Sequence, residues 1–333
     1  MQHLGHPFRT TIGIDSLFYL HSTALGRKLH KKENAMPYIP MLGEVAPDVP
    51  GQFNASRFDA LSFKTTPIEI HGVDSVETVV GHASGFFWRQ KEQSYLITNR
   101  HVVTNRNGFT NEYVSQCLQP RKITFYSGEW ISPIDAPAGF FRFERTPQKL
   151  DLYNDNEVSI WLEDPLFQKF RTDIVAIPID YQPTIKDSNQ SPFLNNFGFE
   201  NLSHYVGNDL FVVGYPYRNY TGMMIPVWKR GSLASEPLFG VDKKPMFLID
   251  ALTKDGMSGS PVFKRVFGPV NLACGTTKLD HVVTTEFVGV YSGRLGSSDL
   301  AQAAMGMAWY SNRIPHIITS GCTTSFNTVH PQS

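Results

Sequence analysis

One serine, placed between two glycines, is the residue of this chain best suited to act as a nucleophile. The segment from Asp255 to Val262 reads Asp-Gly-Met-Ser-Gly-Ser-Pro-Val, and its glycines allow the sharp turn that would hold the Ser258 hydroxyl outward. The backbone N–H groups of Gly256 and Ser258 could point at one spot and stabilise an oxyanion. Because glycine and serine are common in ordinary turns, the pattern gains meaning only if the chain also supplies a base and an acid.

A base and an acid stand earlier in the chain, next to apolar runs typical of buried strands. His101 follows the run from Tyr95 to Thr98, and Asp173 comes directly before the run from Ile174 to Ile177. A nucleophilic serine needs a base that removes the hydroxyl proton and a carboxylate that orients this base and stabilises its charged form. We therefore predict that His101 and Asp173 act together with Ser258.

Other aspartates are weaker candidates for the acid. They lie in loop-like or proline-bound surroundings, where a solvated carboxylate is the expected state. These are Asp151, Asp155, Asp164 and Asp180.

Composition limits the partners and the compartment. Lys plus Arg equal Asp plus Glu at 30 each, so no overall charge favours nucleic acid or an anionic membrane. The chain has no apolar run of about 18 residues and no basic-then-apolar leader, which makes a cytoplasmic location the expectation. Cys117, Cys274 and Cys322 are widely separated and form no metal-ligand pair, so we expect reduced thiols, no metal and no cofactor.

Short apolar runs, many of them β-branched or aromatic, begin at Val76 and are separated by Gly, Asn, Asp and Pro. This pattern predicts an all-β protein with two sets of about six strands, arranged as two small barrels or sandwiches. The expected organisation is an N-terminal extension (1–75), a first strand set (76–180), a connection (181–208), a second strand set (209–318) and a C-terminal tail (319–333).

Several segments together resemble those of a known family. They are Ser84 to Phe87, Leu96 to Val103, Asp173 to Ala176, Val213 to Pro216, Gly256 to Val262 and Val288 to Gly293. They occur in the order found in trypsin-like serine peptidases and look most similar to the bacterial trypsin-like and HtrA-like peptidase domains. The resemblance covers about Val76 to Ile318, and the ordered combination is far more specific than any one segment.

The resemblance implies two packed antiparallel six-stranded β-barrels of the chymotrypsin type, with the active site in the cleft between them. His101 would serve as general base and then general acid, Asp173 would orient it, and Ser258 would attack a peptide carbonyl to form an acyl-enzyme. The backbone N–H groups of Gly256 and Ser258 would hold the oxyanion.

The same resemblance suggests where a protein or peptide substrate would bind. Val290, Tyr291, Ser292 and Gly293 are expected to form the strand that pairs with the substrate backbone and walls the specificity pocket. Leu252, six residues before the serine, is expected near the pocket floor. No acidic residue stands close to it, so an apolar or small substrate side chain is favoured over Lys or Arg.

Met257 departs from the pancreatic members of the family, which carry an aspartate directly before the serine. That aspartate pairs with an N-terminal amine released by zymogen cleavage. Methionine cannot form this ion pair, so we do not expect activation by a freed N-terminus.

Two long segments, Thr104 to Arg171 and Phe263 to Phe287, exceed what a minimal domain needs and are assigned to substrate gating or partner contact. The basic cluster from Arg27 to Lys32 is a further candidate for contact with a regulatory partner, although a solvated arm is favoured.

Two alternatives to an active peptidase were weighed. A catalytically silent trypsin-like fold could serve as a protein-binding module, but all three triad residues and the preceding glycine are in place. An α/β-hydrolase places its histidine last in the chain, whereas His101 comes first and Ser258 leads into a strand.

Overall fold

The computed structural model describes residues 53–54, 59–72, 78–115, 119–131, 140–183, 190–216, 224–279, 282–294 and 305–331. The chain divides into two units, Met1–Pro47 and Asp48–Ser333, and every described residue belongs to the second unit. The basic cluster of the N-terminal extension and Cys117 lie outside the described residues.

Strands dominate the described part of the chain, as the short β-branched and aromatic runs predict. The strands are β1 (Phe53–Asn54), β2 (Thr65–Gly72), β3 (Val79–Gln90), β4 (Gln93–Thr98), β5 (Pro120–Ile131), β6 (Phe140–Asp151), β7 (Leu162–Glu163), β8 (Val175–Ile179), β9 (Asp209–Gly214), β10 (Val227–Leu233), β11 (Met246–Asp250), β12 (Pro261–Phe267), β13 (Val270–Asn271), β14 (Thr277–Lys278), β15 (Val283–Arg294) and β16 (Met305–Tyr310). The α-helices are α1 (Arg100–Thr104), α2 (Phe167–Phe170), α3 (Arg313–Ser320) and α4 (Phe326–Val329).

The strands form two main sheets with the same internal order. The second is a closed antiparallel barrel, β10-β11-β16-β15-β12-β9, and the first is a sheet in the order β1-β6-β5-β2-β3-β4-β8-β7. If β1 and β7, of two residues each, are set aside, the six remaining strands of the first sheet follow the cyclic order of the barrel. The predicted all-β, chymotrypsin-like fold is thereby confirmed. In the barrel, the last two strands, β15 and β16, pair with each other and close it. Among the described residues, the corresponding strands of the first sheet, β6 and β8, do not pair, so this sheet is open.

An apolar cluster joins the two halves. Phe86 and Ile97 from the first sheet pack in one buried group with Phe263, Val290 and Trp309 from the barrel, all with 0% of their surface exposed. Burial of large apolar side chains on this scale stabilises each by roughly 1.5–3 kcal/mol relative to exposure. The two halves are therefore held together by shared apolar packing.

The N-terminal boundary predicted at residue 75 lies too late in the chain. Strand β2 pairs with both β3 and β5, and its Ile68 is completely buried. Pro67, which cannot donate a backbone hydrogen bond, obscures this strand in the sequence. The Thr66 hydroxyl takes over the missing pairing, because it accepts from Tyr126 N at 2.9 Å and donates to Tyr126 O at 3.0 Å.

The predicted C-terminal tail is also part of the fold. Val329, on α4, is 2% exposed within the core of the first sheet, and Phe326 packs against the same core. Ser325 forms a bridge with Val158. An amphipathic segment of this length carries too weak a periodic signal to be recognised without the surface that it covers.

A buried ion pair fastens α3 to the loop after β7. Arg313 donates to Asp164 Oδ2 from Nε at 3.1 Å and from Nη2 at 2.6 Å, and the Thr172 hydroxyl donates to the same oxygen at 2.7 Å. Burial alone would raise the pKa of Asp164, but the hydrogen bonds from Arg313, Thr172 and the backbone of Leu166 outweigh it and lower the pKa. This stabilisation is therefore present at neutral pH and declines as the pH falls below the usual aspartate range.

Replacing Arg313 should destabilise the protein strongly. The Arg313→Ala change leaves the Asp164 carboxylate, 1% exposed, without its cation, which costs about 3–5 kcal/mol. Urea unfolding followed by tryptophan fluorescence measures this loss. The matched control is Arg230→Ala, since Arg230 pairs with Asp209 on the surface and should cost about 1 kcal/mol or less. Equal losses in the two variants would contradict the assignment.

The C-terminal segment should make stability depend on pH through His330. Burial, and then the charges of Arg106, Arg121 and Arg100, lower the pKa of His330 from its usual 6.5 to about 4. Because the unfolded chain takes up this proton near pH 6.5, the contribution of His330 is complete above that value and declines as the pH falls towards 4. His330→Phe should flatten the fall of unfolding free energy across this window. An unchanged slope in urea titrations would refute the prediction.

Candidate active site

His101 lies on α1, which begins where β4 ends. The helix is short because Asn105 adopts a left-handed conformation, with φ of 52°, and closes it. Asn99, just before the helix, donates from its side chain to the backbone carbonyl of Asp173 at 2.6 Å. The loop before β8 is thus tied to the start of the helix.

Asp173 reaches His101 because β8 pairs antiparallel with β4, with Thr98 opposite Val175. Its Oδ1 accepts the backbone N–H of His101 at 2.8 Å, and its Oδ2 lies 2.6 Å from His101 Nδ1. Asp173 is 5% exposed. A buried carboxylate at Nδ1 holds the proton of neutral imidazole on that nitrogen and leaves Nε2 as the basic atom.

Ser292 supplies a third hydrogen bond to the same carboxylate. Its hydroxyl donates to Asp173 Oδ2 at 2.5 Å, and its side chain is buried. The resemblance had suggested that Ser292 contacts substrate, so this role of its hydroxyl was missed. The available signal was a hydroxyl residue at the end of the apolar run that became β15.

Ser258 lies in a tight loop held by both halves of the molecule. Its carbonyl accepts from Ser84 N of β3 at 2.8 Å, and Gly259 N donates to Tyr291 O of β15 at 2.9 Å. Gly256 and Gly259 have φ of 95° and 84°, which side chains rarely adopt. Among the described residues, the N–H groups of Gly256 and Ser258 donate no hydrogen bond and are available to a ligand, and no hydrogen bond links the Ser258 hydroxyl to His101.

Ser84 fixes this loop and was not singled out as a site residue by sequence reasoning. Its hydroxyl donates to the Gly256 carbonyl at 2.7 Å and accepts from Tyr215 N at 2.9 Å. Its own carbonyl accepts from the Thr98 hydroxyl at 2.9 Å, next to the helix of His101. One buried serine therefore connects the loop of Ser258 to the strand that precedes His101.

Two of the residues expected to bind substrate lie inside the barrel. Val290 is completely buried and is paired with Pro261 on one side and Trp309 on the other. Tyr291 is 1% exposed, and its backbone N and O already bond to Ser260 O and Gly259 N. Neither can pair with a substrate backbone, so that expectation is corrected. Gly293, by contrast, is not enclosed by other residues, because a Cβ placed on it would meet no atom within 4 Å.

Leu252, expected near the pocket floor, is partly exposed, and its place in a pocket stays a prediction. Its side chain is 44% exposed, whereas its neighbours Ala251 and Thr253 are 4% and 2% exposed. Alternation along an extended segment sends adjacent side chains in opposite directions. The buried position beside the barrel is therefore that of Thr253. Met257 is 1% exposed within the apolar core of the barrel, where a carboxylate would be costly.

A search of the described residues found no group of three or more His, Cys, Asp or Glu side chains that could hold a metal ion. In the same part of the chain, no helix has the length and apolar character required to cross a membrane.

Comparison with known proteins identifies the family of this chain. The family of trypsin-like peptidase domains matches residues 83–268, more than half of the chain, and the chain belongs to this family. The active form of the Rv3671c protease from M. tuberculosis is similar over 86% of this chain and 96% of that one, with 15% identity and a TM-score of 0.40. No curated protein sequence matches the chain.

Gly259 should be intolerant of a side chain for two separable reasons. Its φ of 84° strains any L-residue, and an added Cβ would lie 2.1 Å from Ser84 O and 2.4 Å from the Thr98 hydroxyl. Gly268 has φ of 86° but open space around it. Gly268→Ala should therefore cost only the backbone strain, roughly 1–2 kcal/mol, and Gly259→Ala distinctly more. Thermal unfolding of the two variants measures the difference, and equal shifts would argue against close packing of this loop.

Proposed function

We propose that this protein is a serine endopeptidase that cleaves protein or peptide chains through an acyl-enzyme intermediate. The observation that carries the proposal is the double contact of Asp173 with His101, at the backbone N and at Nδ1. Such a contact orients an imidazole and leaves Nε2 free to act as a base. Membership of a peptidase family supports this choice of reaction.

In the first half of the proposed reaction, the Ser258 hydroxyl proton moves to His101 Nε2 while Oγ forms a bond to the peptide carbonyl carbon. The carbonyl electrons move onto oxygen, which accepts hydrogen bonds from the N–H groups of Gly256 and Ser258. The carbon–nitrogen bond then breaks, and His101 gives its proton to the departing amine. An ester between Ser258 and the acyl part of the substrate remains.

In the second half, water takes the place of the hydroxyl. His101 removes a proton from the water, whose oxygen attacks the ester carbon, and then returns that proton to Ser258 Oγ as the acid is released. Asp173 stays ionised throughout and stabilises the positively charged imidazole. Its three hydrogen bonds, from His101 N, His101 Nδ1 and Ser292 Oγ, oppose any reorientation during both halves.

A covalent probe tests this function directly. A fluorophosphonate should label Ser258 in the wild type, and Ser258→Ala should abolish both labelling and hydrolysis of a denatured protein substrate. Asp173→Asn should lower kcat by about 10⁴-fold, because the amide favours the wrong imidazole tautomer. Ser203→Ala provides a matched serine control, since Ser203 bonds to the β13 region, away from His101.

The control should match the wild type in labelling and in kcat. Wild-type protein that binds peptides but shows no labelling of Ser258 would instead favour the catalytically silent binding module. Labelling that survives in Ser258→Ala would refute Ser258 as the nucleophile.

A further inference from the structure

Tyr291 lies next to the loop of Ser258 and belongs to the apolar core of the barrel, and the proposed chemistry gives its ring no role. Its backbone pairs with the two residues after Ser258, through Gly259 N to Tyr291 O at 2.9 Å and Tyr291 N to Ser260 O at 2.8 Å. Its side chain must therefore begin within a few ångströms of the Ser258 loop. With 1% of its surface exposed, the ring points into the molecule.

The ring spans the space between two structural elements. On one side it lies over Gly306 of β16, where an added Cβ would be 2.6 Å from Tyr291 Cε2. On the other side its hydroxyl forms a hydrogen bond with the hydroxyl of Thr253, in the segment that leads to Ser258. The hydroxyl end of the side chain is thus held between β16 and the segment before Ser258, and burial raises the pKa of the Tyr291 hydroxyl, so the phenol stays neutral.

A substrate bound for attack by Ser258 would need this same space. If the substrate carbonyl oxygen binds the N–H groups of Gly256 and Ser258 and the substrate backbone lies along Gly293, we expect the residue before the cleaved bond to direct its side chain between residues 251–257 and the paired ends of β15 and β16. Tyr291 already fills that interval. A glycine at position 306 leaves room for the tyrosine ring and not for a second large group.

A cavity of about 400 Å³ lies elsewhere and does not replace this space. It is lined by residues that include Trp88, Phe287 and Pro315. Phe287 precedes Ser292 by five residues on β15, a distance on the order of 16 Å at about 3.3 Å per residue. The side chain of the substrate residue whose carbonyl carbon is attacked by Ser258 cannot reach this cavity.

We infer that Tyr291 acts as a built-in plug of the substrate side-chain pocket and restricts cleavage to bonds that follow a small residue, such as glycine, alanine or serine. This inference rests on the proposed peptidase function and deepens it by naming the substrate class. It narrows the apolar or small preference expected from the sequence, because large apolar side chains are now excluded.

Phosphonate probes that mimic alanine or phenylalanine before the cleaved bond test the restriction. In the wild type, the alanine probe should label Ser258 faster than the phenylalanine probe by on the order of 100-fold. Tyr291→Ala should reverse or abolish this preference by opening the space. Tyr291→Phe keeps the ring and removes only the hydroxyl, so it is the matched control and should retain the preference for alanine. Equal labelling of wild type by both probes, or faster labelling by the phenylalanine probe, overturns the inference.

A second measurement does not depend on catalysis. If removal of the ring opens a recess, p-cresol, which has the shape of the tyrosine side chain, should bind Tyr291→Ala and raise its Tm, as apolar ligands fill engineered cavities. It should leave the Tm of the wild type and of Tyr291→Phe unchanged. Absence of stabilisation in Tyr291→Ala contradicts the plug. Should the variant fail to fold, Tyr291→Val, which keeps a β-branched residue in the strand, takes its place in both measurements.

The two proposals fail in different ways. If no probe labels Ser258, the peptidase function is refuted, while the p-cresol measurement still decides whether Tyr291 fills a recess. If a plain fluorophosphonate labels Ser258 but the alanine and phenylalanine probes do not differ, the enzyme is a serine hydrolase and the plug is refuted.

Discussion

The carboxylate of Asp173 is the contact on which the rest of the site depends. It accepts hydrogen bonds from the backbone and ring of His101, on the helix that follows β4 of the first sheet, and from Ser292, which belongs to the barrel. A buried carboxylate without such donors would carry a large desolvation cost. The contact from Ser292 requires the two halves to stay together, so the full set of donors to Asp173 exists only in the assembled fold.

Separation of the halves is opposed by two different kinds of interaction. The apolar cluster around Phe86, Phe263 and Trp309 stabilises their contact by burying apolar surface, which has no directional preference. Direction comes from Ser84, whose backbone and hydroxyl bond to Ser258 O and Gly256 O. The cluster keeps the halves in contact, and the hydrogen bonds of Ser84 fix the position of the Ser258 loop relative to the first sheet. Two apolar surfaces can shift against each other at little cost. A shift that breaks a buried hydrogen bond leaves an unpaired polar group, which is unfavourable.

The sequence was sufficient for the features that are encoded locally. The glycines around Ser258, the apolar runs beside His101 and Asp173, and the short alternating segments each depend on a few neighbouring residues, and the all-β fold followed from them. The features that the sequence prediction missed depend on contacts between residues far apart in the chain. Strand β2 was missed because the hydroxyl of Thr66 compensates for Pro67 only when Tyr126 is its neighbour. The role of Ser292 requires Asp173, far away in sequence, to lie opposite it.

The expected substrate pairing of Val290 and Tyr291 was wrong for a related reason, which lies in the alternation of side chains along β15. Successive side chains of a strand point to opposite faces. On β15, Ser292 faces the acid of the site, so Tyr291 must face the barrel, where its ring reaches Gly306 and Thr253. A shift of β15 by one residue would remove the hydroxyl from Asp173 and expel the ring from the barrel at the same time. The hydrogen bond to Asp173 and the burial of the Tyr291 ring are therefore coupled through the register of this single strand.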